Sequence, residues 1–262
     1  MEIVQAIVLG IVQGITEFFP ISSTAHLILV PWFFGWTGAV DSLEFDIALH
    51  VGTLLALVTF FFKDWLEMFF KEHKRRLLFL IIVATVPGAI AGKLLDKFAE
   101  TSLRSPWVIA VSLIVVAIAM FISERIGIKV QTAEKLSYLD AVLVGIAQAF
   151  AIIPGVSRSG GTITMGMFLG MKRNEAARFS FLMCTPIVAG AAALHGLHIL
   201  KAHGASFNMP MFVFGVLASF ISGVLTIKFL LSFFKRFSLN GFVYYRIILA
   251  LVIIVTMVWQ KS

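Results

Sequence analysis

Long apolar segments, separated by short polar loops, make up most of the chain. Six of them approach the roughly 20 residues that a helix needs to cross a bilayer. They are residues 44–62, 77–97, 106–125, 177–200, 210–231 and 242–260. These runs are continuous, whereas strands of an outer-membrane barrel alternate polar and apolar residues. The pattern therefore predicts an all-α integral membrane protein with six full transmembrane helices.

Two further apolar regions are interrupted by polar residues. The first consists of residues 2–16 and 26–35, and the second of residues 138–153 and 162–170. Fifteen helical residues extend only about 22 Å, which is less than the hydrocarbon core of about 30 Å. Each region is therefore predicted to be a re-entrant helix–loop–helix that enters the membrane and returns.

The two interrupted regions resemble each other in sequence. Residues 6–13 (AIVLGIVQ) match residues 141–148 (AVLVGIAQ), and Pro20-Ile-Ser22 matches Pro154-Gly-Val-Ser157 with one residue inserted. Three predicted crossings separate the copies, and an odd number of crossings gives them opposite orientations. We predict a single membrane domain, residues 1–262, that contains an inverted-topology repeat. Its halves are about 1–130 and 131–262.

Lys and Arg concentrate in alternate loops. Four loops, called the basic loops below, carry 5, 3, 3 and 2 of them: residues 63–76, 125–137, 171–178 and 233–241. The other ends carry 0, 1, 1 and 1: residues 1–43, 98–105, 201–209 and 261–262. The positive-inside rule places the basic loops in the cytoplasm. The first interrupted region then enters from outside and the second from the cytoplasm. The polar interruptions, called the first break (residues 17–25) and the second break (residues 154–161) below, are therefore expected to meet near the midplane.

Composition agrees with a membrane protein and limits the partners. The chain is 60% apolar and 13% charged, with a mean hydropathy of +0.98, against about 45–50% and 25% in soluble domains. The net charge of +7 lies largely in the basic loops, so we predict contact with the bilayer and not with nucleic acid. The only cysteine, Cys184, excludes an intramolecular disulfide and is interpreted as a small apolar helix residue. The oligomeric state stays open, a homodimer included.

The first break and its flanks offer several polar side chains within fourteen residues, among them Gln13, Glu17, Ser22, Ser23, Thr24 and His26. Gln13 and Glu17 are four residues apart and share a helix face. A carboxylate inside a membrane is costly and usually lines a pathway or a site. We predict that Glu17, Ser23 and His26 are catalytic. A helix cap at the membrane interface is the alternative for Glu17.

The second break has the composition of an anion site. Arg158 offers a planar guanidinium that matches phosphate oxygens, and glycines let backbone N–H groups approach a ligand. Thr162 is predicted to begin a helix, whose N-terminus favours phosphate. The predicted phosphate-binding residues of both breaks are Ser22, Ser157, Arg158, Ser159, Gly160, Gly161 and Thr162.

Together the two breaks predict phosphoryl transfer, in which positioning and charge neutralisation provide most of the catalysis. Arg158 is expected to act in catalysis as well as in binding. A diphosphate substrate normally brings a divalent cation, and we expect Mg²⁺ or Ca²⁺ to be held by Glu17 and the phosphates. Gln13 is a weaker candidate ligand for this cation.

Two motifs resemble those of the undecaprenyl-diphosphatase family, also called bacitracin-resistance proteins. QGITEFFPISSTAH (residues 13–26) is similar to the family's (Glu/Gln)-x-x-x-Glu motif with its following Pro-x-Ser-Ser-Thr-x-His, and PGVSRSGGT (154–162) to its Pro-Gly-x-Ser-Arg-Ser-x-x-Thr motif. The resemblance covers essentially the whole hydropathy profile. Its functional positions correspond to Gln13, Glu17, Ser23, His26, Ser157, Arg158 and Thr162. Some members have Glu at the position of Gln13, and an amide would weaken a metal site there.

The resemblance implies hydrolysis of undecaprenyl diphosphate to undecaprenyl phosphate and inorganic phosphate, with a divalent cation, at the outer (periplasmic) face of the bacterial inner membrane. Such an enzyme is a hydrolase that acts on a phosphoric anhydride. Its reaction recycles the lipid carrier of cell-wall synthesis and confers bacitracin resistance. The nucleophile stays open between His26, Ser23 and water. The main alternative function is a polyprenyl-phosphate flippase or transporter, because inverted repeats and broken helices are typical of transporters. A non-catalytic protein that sequesters the lipid is a second alternative.

Overall fold

The computed structural model describes residues 2–103, 105–202 and 209–259. Within these residues the chain forms eleven α-helices joined by short loops and single 3₁₀ turns. The helices are α1 (Glu2–Thr16), α2 (Ser23–Phe34), α3 (Leu43–Phe60), α4 (Phe62–Phe70), α5 (Arg75–Ser102), α6 (Pro106–Ile126), α7 (Tyr138–Ala149), α8 (Arg158–Phe168), α9 (Arg173–Ala202), α10 (Met209–Phe233) and α11 (Asn240–Trp259). The prediction of an all-α protein is confirmed.

Six segments of the described chain are long and apolar enough to cross a membrane, as predicted. They are Leu43–Phe60, Glu72–Leu95, Pro106–Ile126, Arg173–Leu194, Met209–Phe233 and Asn240–Trp259. Many of their large apolar side chains, such as Ile118, Leu225 and Val255, are more than half exposed, as expected for helices that face lipid. Residues 203–208 and 260–262, which belong to two of the predicted outer ends, lie outside the described residues.

The interrupted regions form the helix pairs α1–α2 and α7–α8. The second helix of each pair begins earlier than predicted, α2 at Ser23 instead of His26 and α8 at Arg158 instead of Thr162. The expectation that Thr162 begins a helix is therefore wrong. The reason is N-capping, since a serine side chain accepts a hydrogen bond from a backbone N–H of the first turn and fixes the start of the helix.

The two capping serines share an unusual backbone conformation. Ser22 accepts from the Ala25 N–H (3.3 Å) and Ser157 from the Gly160 N–H (3.1 Å). Their φ angles are +77° and +71°, in the left-handed region that residues with a Cβ rarely adopt. Strain of this kind persists where surrounding contacts determine the backbone, and it concentrates at functional sites. Both breaks therefore end in the same way.

The helices pack in a regular pattern around the two breaks. α1 lies against α10, α7 against α5, and α6 against α11, while α3 contacts α10 and α9. Glycines allow the closest of these approaches: a Cβ on Gly145 of α7 would lie 2.5 Å from the Ala84 carbonyl oxygen of α5. Small residues at such contacts are typical of helices that associate in membranes.

The basic loops and the helix ends beside them contact one another at one end of the molecule. The contacts between them include the ion pairs Lys74–Glu134 and Arg178–Asp64 and a hydrogen bond from the Leu239 N–H to Glu124. At the same end, Arg173 and Lys129 form ion pairs with Glu124. The positive charge of the sequence is thus collected at a single end of the helical bundle.

Candidate active site

The two breaks lie in direct contact inside the bundle. The Gly155 N–H donates a hydrogen bond to the Ser22 hydroxyl (3.2 Å), and the Ser159 hydroxyl donates to the Phe19 carbonyl (3.0 Å). Ser22 and Ser159 are 3% and 2% exposed. These two hydrogen bonds join residues 133 and 140 positions apart in the sequence. The two breaks thus form one polar cluster between apolar helices.

Arg246 of α11 holds both breaks from behind. Its side chain is fully buried and donates hydrogen bonds only to backbone carbonyls. The acceptors are the carbonyl oxygens of Pro20 (2.9 Å), Gly155 (2.6 Å), Val156 (3.2 Å), Leu113 (3.2 Å) and Ser112 (3.4 Å). Three of these belong to the breaks, whose irregular backbone cannot use helical hydrogen bonds. Arg246 therefore fixes the breaks relative to each other and to α6.

The sequence pattern could have indicated Arg246, although it was not predicted as a site residue. It is the single charged side chain in the predicted crossing at residues 242–260, and charged residues within crossings are rare and usually functional. The pattern does not reveal its five carbonyl partners, because these come from three separate segments.

The Glu17 carboxylate is the centre of the polar cluster. One oxygen forms an ion pair with Arg158 of the second break. The other accepts hydrogen bonds from the Ser23 hydroxyl (2.5 Å) and the Gln13 amide (3.1 Å). Glu17 is only 5% exposed, so the carboxylate is stabilised by the cation and donors around it. This geometry joins the predicted residues Gln13, Glu17, Ser23 and Arg158.

His50 of α3 approaches the same carboxylate, although the sequence analysis did not select it. Its Nε2 lies 3.6 Å from the second Glu17 oxygen. Its Nδ1 donates a hydrogen bond to the Asp46 carbonyl (2.8 Å), which fixes the ring orientation. Only the spacing of Asp46 and His50, four residues apart on one helix face, could have drawn attention to this position.

A cavity of about 350 Å³ lies in front of the Glu17–Arg158 pair. Five predicted site residues line it: Glu17, Ser22, Ser23, Ser157 and Arg158. His50, Asp46 and Gln148 add further polar groups, while Gly88, Gly92, Ile187, Val188, Ala191 and Ala192 form an apolar part of the wall. The cavity therefore combines a small polar end with an apolar extension, as expected for an amphiphilic ligand.

His26 lies behind the cavity wall and is not among the residues that line it. Its Nδ1 donates to the Ser22 carbonyl (2.7 Å), and its Nε2 lies 2.7 Å from the Tyr245 hydroxyl. Both ring nitrogens are thus occupied, and the side chain is 8% exposed. The contacts of His26 hold the start of α2, where Ser22 and Ser23 lie.

The remaining predicted phosphate-binding residues face the protein. The Thr162 hydroxyl contacts the Arg158 carbonyl and the Ser180 hydroxyl, each at 2.7 Å. The Gly160 N–H is bonded to the Ser157 hydroxyl and the Gly161 N–H to the Ser157 carbonyl (2.8 Å). A Cβ at Gly161 would lie 3.1 Å from the Ala147 carbonyl. In this structure both glycines therefore serve the start and the packing of α8.

Cys184 of α9 differs from its interpretation as a simple apolar residue. It is buried, and the Arg158 guanidinium donates a hydrogen bond to its sulfur. Arg158 is thereby held between Cys184 and Glu17, and its side chain is directed along the cavity wall. Nothing in the sequence pattern indicates this contact, since Cys184 lies within an apolar run 26 residues after Arg158.

The residues do not form a ready-made divalent-cation cage. Among the described residues, no three of the types His, Cys, Asp and Glu converge in a way that could hold a metal ion. The Glu17 oxygens are already engaged by Arg158, Ser23 and Gln13. Asp46 is the other carboxylate among the residues that line the cavity. Because a hard cation prefers at least six oxygen ligands, the protein alone would supply only part of its coordination.

The fold and the cavity define a multi-pass membrane protein with a buried polar cluster beside a cavity. The family described as "Bacitracin resistance protein BacA" matches residues 6–252. The chain belongs to this family of undecaprenyl-diphosphatases. It is 52% identical over 252 residues to an undecaprenyl-diphosphatase of Thermodesulfovibrio yellowstonii, with 96% of each chain covered. It is 48% identical over 267 residues to that of Moorella thermoacetica, over the full length of both.

Replacing Arg246 tests whether it holds the two breaks together. Arg246→Met keeps an unbranched apolar stem but removes every donor to the five carbonyls. We expect the free energy of unfolding in detergent to fall by about 3 kcal/mol or more, since hydrogen bonds from charged groups are the strong ones, and phosphatase activity to be lost. Thermal unfolding and phosphate release measure the two effects. Arg236→Met, at an exposed position, is the control. An Arg246→Met protein with the stability and activity of the wild type would contradict this role.

Proposed function

We propose that the chain hydrolyses undecaprenyl diphosphate at the cavity in front of Glu17 and Arg158. One observation carries the proposal: a hydroxyl nucleophile and a phosphate-binding guanidinium are held on the same buried carboxylate. Arg158 lines the cavity, where its remaining N–H groups would bind the phosphate oxygens, and the apolar wall would accept the first part of the lipid tail. Family membership supports this substrate.

Ser23 is the proposed nucleophile. Its hydroxyl is bonded to Glu17 at 2.5 Å and lies on the cavity wall, which is the arrangement of a nucleophile with its base. Its oxygen would form a bond to the terminal phosphorus while its proton passes to Glu17. The bond from that phosphorus to the bridging oxygen breaks, and undecaprenyl phosphate leaves. Water then hydrolyses the phosphoserine. In this scheme His26 positions Ser22 and Ser23 instead of attacking phosphorus.

A divalent cation would enter with the diphosphate. Because the cavity wall carries two carboxylates, Glu17 and Asp46, and Glu17 is already paired with Arg158, most ligands of a Mg²⁺ or Ca²⁺ ion would be phosphate oxygens and water. Such an ion would neutralise phosphate charge. The proposal therefore predicts no tight cation binding without substrate.

The finer architecture is proposed to be two re-entrant helix pairs related by an inverted repeat. Corresponding elements make corresponding contacts: α1 packs on α10 of the second half, and α7 packs on α5 of the first. Gly10 and Gly145, matched in sequence, each lie against the backbone of these partner helices. Ser22 and Ser157 correspond as capping residues with positive φ. The halves near 1–130 and 131–262 agree with this relation.

The cavity is proposed to open to the outer side of the inner membrane. Its wall on α9 lies at Ile187 to Ala192, whereas the basic end of that helix is at Arg173. Fifteen helical residues correspond to about 22 Å, most of the hydrocarbon thickness. On α5, Gly88 lies similarly far from Arg75. The cavity is thus remote from the end that the positive-inside rule assigns to the cytoplasm.

Phosphate release in detergent tests the reaction itself. We expect purified protein to release phosphate from farnesyl and undecaprenyl diphosphate, with loss of release in EDTA. Ser23→Ala should lower kcat by about 10²-fold or more, the usual range for loss of a positioned group, with little change in KM. Thr256→Val, an exposed hydroxyl on α11, is the control. Absence of release by folded wild type would favour a flippase, since transport has no meaning without compartments.

Cysteine labelling tests the side of the cavity. Thr24 is exposed and lines the cavity, while Lys235 is exposed in a basic loop. In intact cells with a permeable outer membrane, we expect a membrane-impermeant maleimide to label Thr24→Cys but not Lys235→Cys. Lys235→Cys should react only after the inner membrane is opened. Cys184 is buried and provides a low background. The reverse labelling pattern would overturn the proposed orientation.

A further inference from the structure

We propose that Gln148 is a further substrate-binding residue, whose side-chain amide donates a hydrogen bond to a diphosphate oxygen in the cavity. The inference rests on the proposed function and adds a residue that lies outside both sequence motifs. Gln148 is the second-last residue of α7, and it lines the cavity with Ser157 and Arg158.

The Gln148 amide is buried without a partner. The side chain is 4% exposed, and among the described residues neither Nε2 nor Oε1 has a hydrogen-bonding protein group. Buried polar side chains nearly always have a partner, because leaving one unpaired is costly. Because Gln148 lines the cavity, a small rotation of its side chain would bring this unpaired amide to a ligand.

The repeat explains why this amide is free. Gln148 corresponds in sequence to Gln13, whose Nε2 donates to Glu17 four residues later on the same side of the helix. The residue four positions after Gln148 is Ile152, whose side chain offers no acceptor. The same amide is thus occupied in the first half of the chain and unoccupied in the second. Gln13 supports the Glu17 carboxylate, whereas Gln148 belongs to the wall of the cavity.

A glycine on the neighbouring helix maintains the position of the Gln148 amide. A Cβ added to Gly88 of α5 would lie 2.7 Å from Gln148 Nε2 and 3.0 Å from its Cγ. Any larger residue at position 88 would displace the amide. Since Gly88 also lines the cavity, the opening beside Gln148 is formed jointly by α5 and α7.

The amide suits a diphosphate chemically. Nε2 can donate to a non-bridging phosphate oxygen, and such hydrogen bonds to an anion are stronger than neutral ones. Arg158 supplies charge from the α8 side of the cavity, whereas Gln148 supplies a neutral donor from α7. Two donors from different helices would fix the orientation of the diphosphate relative to Ser23, in addition to neutralising its charge.

The test compares Gln148→Met with Thr164→Val. Thr164 also carries a buried hydroxyl without a partner among the described residues, and it does not line the cavity. We measure thermal unfolding, kcat and KM for farnesyl diphosphate, and the Kd of its non-hydrolysable methylene-diphosphonate analogue. Gln148→Met should unfold at the wild-type temperature or above while binding the analogue roughly 10- to 100-fold more weakly. Thr164→Val should bind it as the wild type does.

Gly88→Ala provides a second route to the same result if Gln148→Met does not fold. Displacing the amide should weaken analogue binding in the same direction. Wild-type Kd and KM in a folded Gln148→Met protein, or in a folded Gly88→Ala protein, would overturn the inference. Failure of the proposed function is distinguishable: wild-type protein would then release no phosphate, while Gln148-dependent binding of the analogue would still support the inference.

Discussion

The structure depends on satisfying the backbone of two broken helices inside an apolar bundle. Irregular backbone leaves carbonyl and N–H groups without helical partners, and lipid offers none. Arg246 donates to three carbonyls of the breaks and two of α6 from a fully buried position. Ser22 and Ser159 add hydrogen bonds between the breaks. Because the breaks are fixed in this way, side chains from distant parts of the sequence can form one cluster.

The chemistry follows from this scaffold. Glu17 is brought against Arg158, and each partner reduces the cost of burying the other. The same carboxylate holds Ser23, so the proposed phosphate-binding residue and the proposed nucleophile share one anchoring group. A preorganised set of this kind needs little rearrangement in the transition state. With the apolar wall beside the polar cluster, the proposed site would let a membrane lipid present its diphosphate without leaving the bilayer.

Helices and motifs could be predicted from the sequence because both are local properties. Continuous apolar runs indicated the six long helices, and the two motifs indicated Glu17, Ser23 and Arg158. Because Ser22 and Ser157 cap the following helices, these helices begin earlier than predicted. A pattern of apolar residues does not indicate a capping residue. His50 and Arg246 were missed because their importance arises from tertiary contacts. His26 is a residue type common in catalysis, and the sequence analysis predicted it to be catalytic. In the structure its ring contacts Tyr245, and the spacing of residues along the chain does not reveal this orientation.

A double-mutant cycle between the breaks tests the central claim that they form one site. Glu17→Gln, Arg158→Lys and the double variant are compared by kcat/KM for phosphate release, with thermal unfolding as the measure of folding. Residues that act as a unit are strongly non-additive. If the two residues form one site, kcat/KM of the double variant should be no more than about tenfold below that of the less active single variant. Losses that multiply, in folded proteins, would show that Glu17 and Arg158 act independently and would contradict a shared site.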